Sequence, residues 1–340
     1  MAACTAETEG LRGLEEPKPV PERPDIDPSD GWMDEAGVGV GYIISELKIA
    51  DRDQGFDLNG DCAAGGEGCV DNGLWILGPL ANDQIRQGLL GGESLLLIEL
   101  AGFAGLPAGN DSALTVKFYA AKDADDPYFP ANNFKVPAGQ EKCCEFLISP
   151  SGVEGTPPQA LARLPARLEG TTIRSTESGS LLIVSTVEPD PITATLERAT
   201  VELTIDPETN HIRGRLGVAL PASDLDKFRN PYCATVSPRC PVSVLDSSLL
   251  DLFVAVKGPR PDIDLDGDGL ECLLDSDGDT LVDRCCEGTS DGGCREGACS
   301  GPVIEPGAGA GCIDNPRVAD GYSITIEFAA VPATILGVAP

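Results

Sequence analysis

The sequence predicts a mainly β protein: an antiparallel β-sandwich with a few short helices and an inserted segment rich in cysteine and aspartate. Three observations predict it. Strand-length runs alternate polar and apolar residues with a period of two, and turn signals separate these runs. A further strand-like run follows the cysteine-rich segment instead of preceding it.

Residues 1–36 are rich in Pro and Glu, lack hydrophobic periodicity, and read as a flexible, self-repelling linker. Residues 37–340 then form one β-sandwich domain. Its first strand is expected in "GYIISELKI" from Gly41. Leu77, Ala81, Ile85 and Leu89 recur every four residues and mark a helix, which Pro79 permits only if the helix begins near it. "SLLLIEL" from Ser94 is the next strand. "LTVKFY" places Leu114, Val116 and Phe118 on one face and Thr115, Lys117 and Tyr119 on the other, as in a half-buried strand. "SLLIVSTV" from Ser180, "TVELTI" with Val201, Leu203 and Ile205 inward, and "HIRGRLGVAL" from His211 continue the series. Ser223 and Asp226 mark a short helix start with Leu225 and Phe228 to bury, while Pro241–Val256 fits a helix or a strand equally. The last strand is "YSITIEF", with Tyr322, Ile324, Ile326 and Phe328 on one face. A lone strand is unstable, so this one is expected to rejoin the sheet built by residues 38–220, which makes 233–312 an insertion. The alternative is a second module that pairs the strand within itself.

The chain carries a net charge of −31 with a pI near 4.1. A phosphate backbone or an anionic membrane surface would be repelled over most of such a surface, so nucleic acid is excluded as a partner and cations are the natural ligands. No apolar run reaches the roughly 18 to 20 residues of a membrane-spanning helix. Thirteen cysteines with a single histidine, His211, suit an oxidising compartment better than structural zinc, which needs closely spaced Cys or Cys/His sets.

The charge is concentrated in "DIDLDGDGLECLLDSDGDTLVDRCCEG", residues 262–288. Between Asp262 and Asp291 stand nine Asp, two Glu and one Arg, a net charge of −10. Two carboxylates about 4 Å apart repel by roughly 1 kcal/mol even in water, so several converging on one point need a counter-ion. Hard oxygen donors at regular spacing favour calcium. Counting from Asp264, the ligand positions are Asp264, Asp266, Asp268, the carbonyl of Leu270, and Asp275, with Gly269 at the turn. A frame from Asp262 would put Leu273 at the closing position, and the frame from Asp264 is preferred. A second loop shares Asp275 and continues through Asp277, Asp279 and Asp283, with Thr280 where glycine is usual. A weaker loop lies nearer the N-terminus, where Asp57, Asn59 and Asp61 have the same spacing and Glu67 and Asp71 are the next acidic candidates, although Cys62 occupies the glycine position. Cys62 with Cys69 and Cys233 with Cys240 are the expected short-range disulfides. Cys272, Cys285, Cys286, Cys294, Cys299 and Cys312 surround the second region with pairings open.

The run "DSDGDTLVDRC" resembles thrombospondin type 3 repeats, and more loosely dockerin-type calcium loops. That resemblance implies calcium held by aspartates and stapled by disulfides, and it brings no enzymatic activity. The order of strand, acidic loop, "DNG" and helix resembles uncharacterised exported bacterial proteins with "DxDGDG" loops, which implies an extracytoplasmic location. The small residues before Cys4 resemble the end of a bacterial lipoprotein signal, making Cys4 a lipidation candidate and a lipid there the one membrane link; a lone thiol in a polar tail is the alternative.

No nucleophile or phosphate-loop motif occurs, and "GVGVG" and "GAGAG" lead into a strand and into "CIDNP". His211 is expected on the surface beside Arg213 and Arg215. An aromatic content of 5%, with only Trp32 and Trp75, weakens the case for a sugar-stacking platform. The expectation is a calcium-binding, disulfide-stabilised, surface-tethered protein that binds an envelope or surface ligand or serves structurally. A calcium-dependent, glycosidase-like hydrolase and a calcium sensor are the alternatives.

Overall fold

The computed structural model describes residues 34–60, 70–92, 94–106, 111–124, 145–185, 192–225, 227–228, 248–249, 261–263, 265, 271–273, 284–288, 294–296 and 320–340. The strands are β1 (Val40–Ile49), β2 (Leu96–Ala101), β3 (Asp111–Asp123), β4 (Glu145–Ile148), β5 (Val153–Glu154), β6 (Gln159–Ala160), β7 (Ala162–Glu169) and β8 (Thr172–Ser175). They continue with β9 (Gly179–Ser185), β10 (Ile192–Ile205), β11 (Ile212–Pro221), β12 (Glu271–Leu273), β13 (Arg284–Gly288), β14 (Cys294–Glu296) and β15 (Gly321–Val338). The fold is mainly β, antiparallel and sandwich-like. Pairing runs β1–β2–β3–β7–β8–β10–β11–β15, and β15 pairs again with β1, so the sheet closes on itself. Closure gives each of these strands a partner on both sides over part of its length, which shortens the edge available to template aggregation. β4 bridges β3 and β15, antiparallel to the first and parallel to the second, and β9 extends from β10.

Two long strands make the closure possible. β15 pairs with β11 over Gly321–Ala330 and with β1 over Ile326–Ala333, then meets β4 from Thr334. β10 bends at a bulge where the register shifts between Glu197 and Thr200 and Arg198 takes φ +51°. The residues before the bulge pair with β9 and those after it with β8. Val201, Leu203 and Ile205 are buried as their spacing predicts, each side chain contributing about 1.5 to 3 kcal/mol.

The face assignments of two strands need correction. β3 is buried on both faces: Phe118 meets Phe328 edge-on at 6.4 Å, while Lys117 is fully buried and Thr115 and Tyr119 nearly so. On β15, Ser323 and Thr325 are fully buried whereas Ile324 and Ile326 are half-buried. In both cases a segment outside the strand covers the polar face and hydrogen-bonds to it, although the Thr325 hydroxyl is buried without a partner among the described residues.

For β3 the cover is the chain from Asp34 to Gly39. Glu99, directly opposite Lys117 in β2, accepts from the N–H groups of Gly37 and Gly39 at 2.9 and 2.6 Å and from the Tyr119 hydroxyl at 2.7 Å. The Lys117 ammonium lies 3.3 Å from Glu99 Oε1 and donates to the Glu35 carbonyl. Burial pushes the Lys117 amine down, an effect that Glu99 opposes, and burial beside Glu99 raises the Tyr119 hydroxyl.

For β15 the cover is the stretch after β1. Asn72 donates to the carbonyls of Ala50 and Asp51 and accepts from Thr325 N–H at 3.0 Å, while Ala50 N–H donates to Thr325 O. A 3₁₀ turn, Gly73–Leu77, leads into α1 (Gly78–Gly91), which carries Pro79 in its first turn and is capped by Gly92 at φ +75°. Asn82 of α1 pairs with both backbone groups of Ile49, accepting at 2.7 Å and donating at 3.2 Å, which fixes the helix to the end of β1. A short α2 (Ala222–Leu225) buries Leu225, and its Asp224 accepts from Thr195 N–H at 2.7 Å.

Candidate metal loops and their anchorage

The first acidic loop leaves the sheet after Ala50 and returns at Asp71. Phe56 and Asp71 form an isolated antiparallel bridge at its root. The Asp71 carboxylate accepts from Leu58 N–H at 2.6 Å and Asn59 N–H at 3.1 Å, so it shapes the turn that carries the first donors. Asp57 Oδ1 accepts from Gly60 N–H at 2.7 Å, and Gly60 takes φ +74°, a conformation that side chains disfavour. Arg198, turned outward by the β10 bulge, donates to the Leu58 carbonyl at 3.3 Å. Phe56 lies across Gly217 of β11, where an added Cβ would come within 2.4 Å of its ring, and Arg215 stacks over that ring at 5.0 Å.

The second acidic run enters against the same structure. Asp262 N–H and Ile263 N–H donate to the Gly321 carbonyl, and Gly321 N–H donates back to Ile263 O at 2.9 Å. The Asp262 carboxylate accepts from Ser323 N–H at 2.7 Å, from Gly73 N–H at 3.1 Å and from the Ser323 hydroxyl. Burial raises this carboxyl above the usual range, and those hydrogen bonds pull the other way. Asp320, nearly fully buried, accepts from Leu265 N–H at 3.0 Å. Leu58, Ala219 and Ile263 form one apolar cluster with Phe56 and Leu265 packed against it. The roots of the two acidic loops, about two hundred residues apart in sequence, therefore share a floor.

Among the expected calcium donors the structure describes Asp57, Asn59 and Asp71; Asp61, Asp264, Asp266, Asp268, Leu270, Asp275, Asp277, Asp279 and Asp283 lie outside the described residues. No three His, Cys, Asp or Glu side chains that could hold a metal converge among the described residues. Cys4, Cys62, Cys69, Cys233, Cys240, Cys299 and Cys312 also lie outside them. Cys272, Cys285, Cys286 and Cys294 fall on the backbone of a small sheet, β12–β13–β14, in which Cys272 stands opposite Cys285 and Cys294 opposite Gly288. Leu273 is paired with Arg284, so the run Asp275–Asp283 starts and finishes at neighbouring strands. His211, expected at the surface, is half-buried with its Nε2 shielded and without a hydrogen-bond partner among the described residues.

The anchors escaped sequence reading. Asp262 belongs to the acidic run, yet its carboxylate is spent on backbone groups of distant segments. Only its exclusion from the frame beginning at Asp264 hinted at a different task. Asp320 and Arg198 carry no sequence signal. Beside the loop roots opens a concavity of about 620 Å³ whose lining includes Asp53 and Asp262. Both oxygens of Asp262 are already hydrogen-bonded, which suits an anchor better than a general acid. No family model, no curated protein and no solved structure matches the chain.

Proposed function

We propose that this chain is an extracytoplasmic, disulfide-stabilised β protein that binds calcium through its acidic loops and acts, tethered at a cell surface, in binding or structural support. The observation that carries the reading is the shared floor. Asp71, Asp262 and Asp320 fix both loop roots by accepting backbone N–H bonds. Loops fixed at their roots lose less entropy on converging around an ion than free chain does. The spacing of Asp264, Asp266, Asp268 and Asp275 and the resemblance of residues 275–285 to thrombospondin type 3 repeats supply the chemistry. In the first loop Asp57 and Asn59 are the described donors that fit, and Asp61 and a backbone carbonyl complete the set the spacing calls for.

The test is a thermal melt of oxidised protein with calcium, with magnesium and with a chelator. Calcium at a hundred times its dissociation constant adds about 2.7 kcal/mol to stability, so the midpoint should rise with calcium and fall with chelator, with magnesium much weaker. An indifferent midpoint together with no heat on calcium titration would remove the reading.

A further inference from the structure

The concavity beside the loop roots has a composition of its own. Arg52 and Asp53 stand on its rim, Trp75 and Val70 form its apolar wall, and Asn72 and Asp262 lie at its base. Trp75 is 36% exposed and Val70 37%, although both side chains are largely apolar, and Trp75 is one of only two tryptophans in the chain. Arg52 and Asp53 are exposed, and neither side chain has an ion pair or hydrogen bond among the described residues. The base is preformed, because Asn72 and Asp262 are held by Ala50, Asp51, Thr325, Gly73 and Ser323.

The charges of Arg52 and Asp53 cancel at the rim of a molecule whose net charge is −31. An anion would be repelled by the surface as a whole, and a cation would meet the guanidinium beside Asp53, while the second carboxylate of the lining, Asp262, is already held by Ser323 and Gly73. An uncharged, hydroxyl-rich ligand suits both groups. The guanidinium donates to, and the carboxylate accepts from, neighbouring hydroxyls, and charged partners make the stronger hydrogen bonds. The C–H face of a pyranose ring is apolar and packs on an indole. The volume lies within the range of small-molecule sites.

We propose that this concavity binds an uncharged saccharide, with one ring stacked on Trp75 and its hydroxyls held between Arg52 and Asp53. The proposal rests on the reading of the chain as a binding protein and is independent of its calcium.

The experiment uses the full chain carrying Trp32→Phe, which leaves Trp75 as the sole tryptophan reporter. Its fluorescence is titrated with maltohexaose, cellohexaose and the fully N-acetylated chitohexaose, and with polygalacturonate as the anionic control, each in calcium and in chelator. A saturable change with at least one neutral oligosaccharide is expected, with a dissociation constant on the order of 1 mM. Arg52→Ala and Asp53→Ala, both at exposed positions, should each weaken it by about tenfold or more without moving the melting temperature. No saturation by any neutral oligosaccharide up to about 10 mM, a preference for polygalacturonate, or full binding by both alanine variants would overturn the proposal. Saccharide binding with no calcium effect on the melt and no heat on calcium titration would leave this site standing and remove the calcium reading; the opposite pattern would remove this site alone.

Discussion

Lys117→Met tests whether the interior between β2, β3 and residues 35–39 is as dry as its geometry requires. The Lys117 and Glu99 side chains are both fully buried, 3.3 Å apart. The substitution keeps most of the side-chain volume and deletes the cation that pairs with Glu99. Glu99 would retain the N–H groups of Gly37 and Gly39 and the Tyr119 hydroxyl, but as an uncompensated carboxylate. Breaking a buried pair from one side costs about 3 to 5 kcal/mol, a large share of the roughly 5 to 15 kcal/mol that holds a domain folded. Urea unfolding should show the midpoint fall with little change in slope. Adding Glu99→Gln to Lys117→Met should recover part of the loss, since no charge is then left behind, giving a coupling of about 1 to 3 kcal/mol in the double-mutant cycle. The same variant should also be cut faster by protease near residues 35–39, because the Glu35 carbonyl loses the Lys117 ammonium. A cost below about 1 kcal/mol for Lys117→Met, with additive double-mutant energies, would mean that water reaches the pair and would refute the reasoning.

Two further outcomes concern the anchors and the interior tyrosine. Asp262→Asn turns one accepting oxygen toward Gly73 or Ser323 into a donor, and should cost about 1 to 3 kcal/mol in urea unfolding. Because burial raises the Asp262 carboxyl, the folded state holds its proton more tightly than the unfolded state. Its contribution is therefore greatest below the unfolded value of about 4 and declines as pH rises from there through the folded value, a slope that the asparagine variant should lack. Burial pushes the Tyr42 hydroxyl up to about 12. The same sign holds, so wild-type stability should fall by about 2 to 3 kcal/mol between pH values of about 10 and 12. Tyr42→Phe should remove that part of the fall; an unchanged alkaline slope would show that Tyr42 is not shielded.

The fold class was legible because burial of one face leaves a mark at every second residue. Val201, Leu203 and Ile205 alternate with Thr200, Glu202 and Thr204, and the structure buries the first set. The helix at Gly78–Gly91 was legible from its stripe at spacing four and its proline. The pattern misled where a strand is covered on both sides. Ser323 and Thr325 look like a solvent face, as does Lys117, yet each is roofed by a segment distant in sequence: Ser323 accepts from Gly73 N–H, Lys117 donates to the Glu35 carbonyl, and Thr325 is met through its backbone groups alone, its hydroxyl having no partner among the described residues. Period-two reading separates polar from apolar faces; it does not tell a polar face in water from one satisfied by protein.

The candidate site divides in the same way. Donor types and their spacing follow from local chemistry, so Asp57, Asn59 and the run from Asp264 could be singled out from residues alone. The anchors depend on partners elsewhere in the chain: Asp262 with Gly73 and Ser323, Asp320 with Leu265, and Arg198 with Leu58.

By itself the sequence determined that the chain is rich in strands, strongly acidic, and equipped with regularly spaced oxygen donors among cysteines. These are consequences of composition and short-range order. Only the tertiary structure decided that the strands close into one circuit, that Glu99 and Lys117 meet in the dry, and that two acidic loops stand on one floor of Leu58, Ala219 and Ile263. Each of these joins residues far apart along the chain, and such encounters are set by which buried groups can satisfy one another once the backbone has packed.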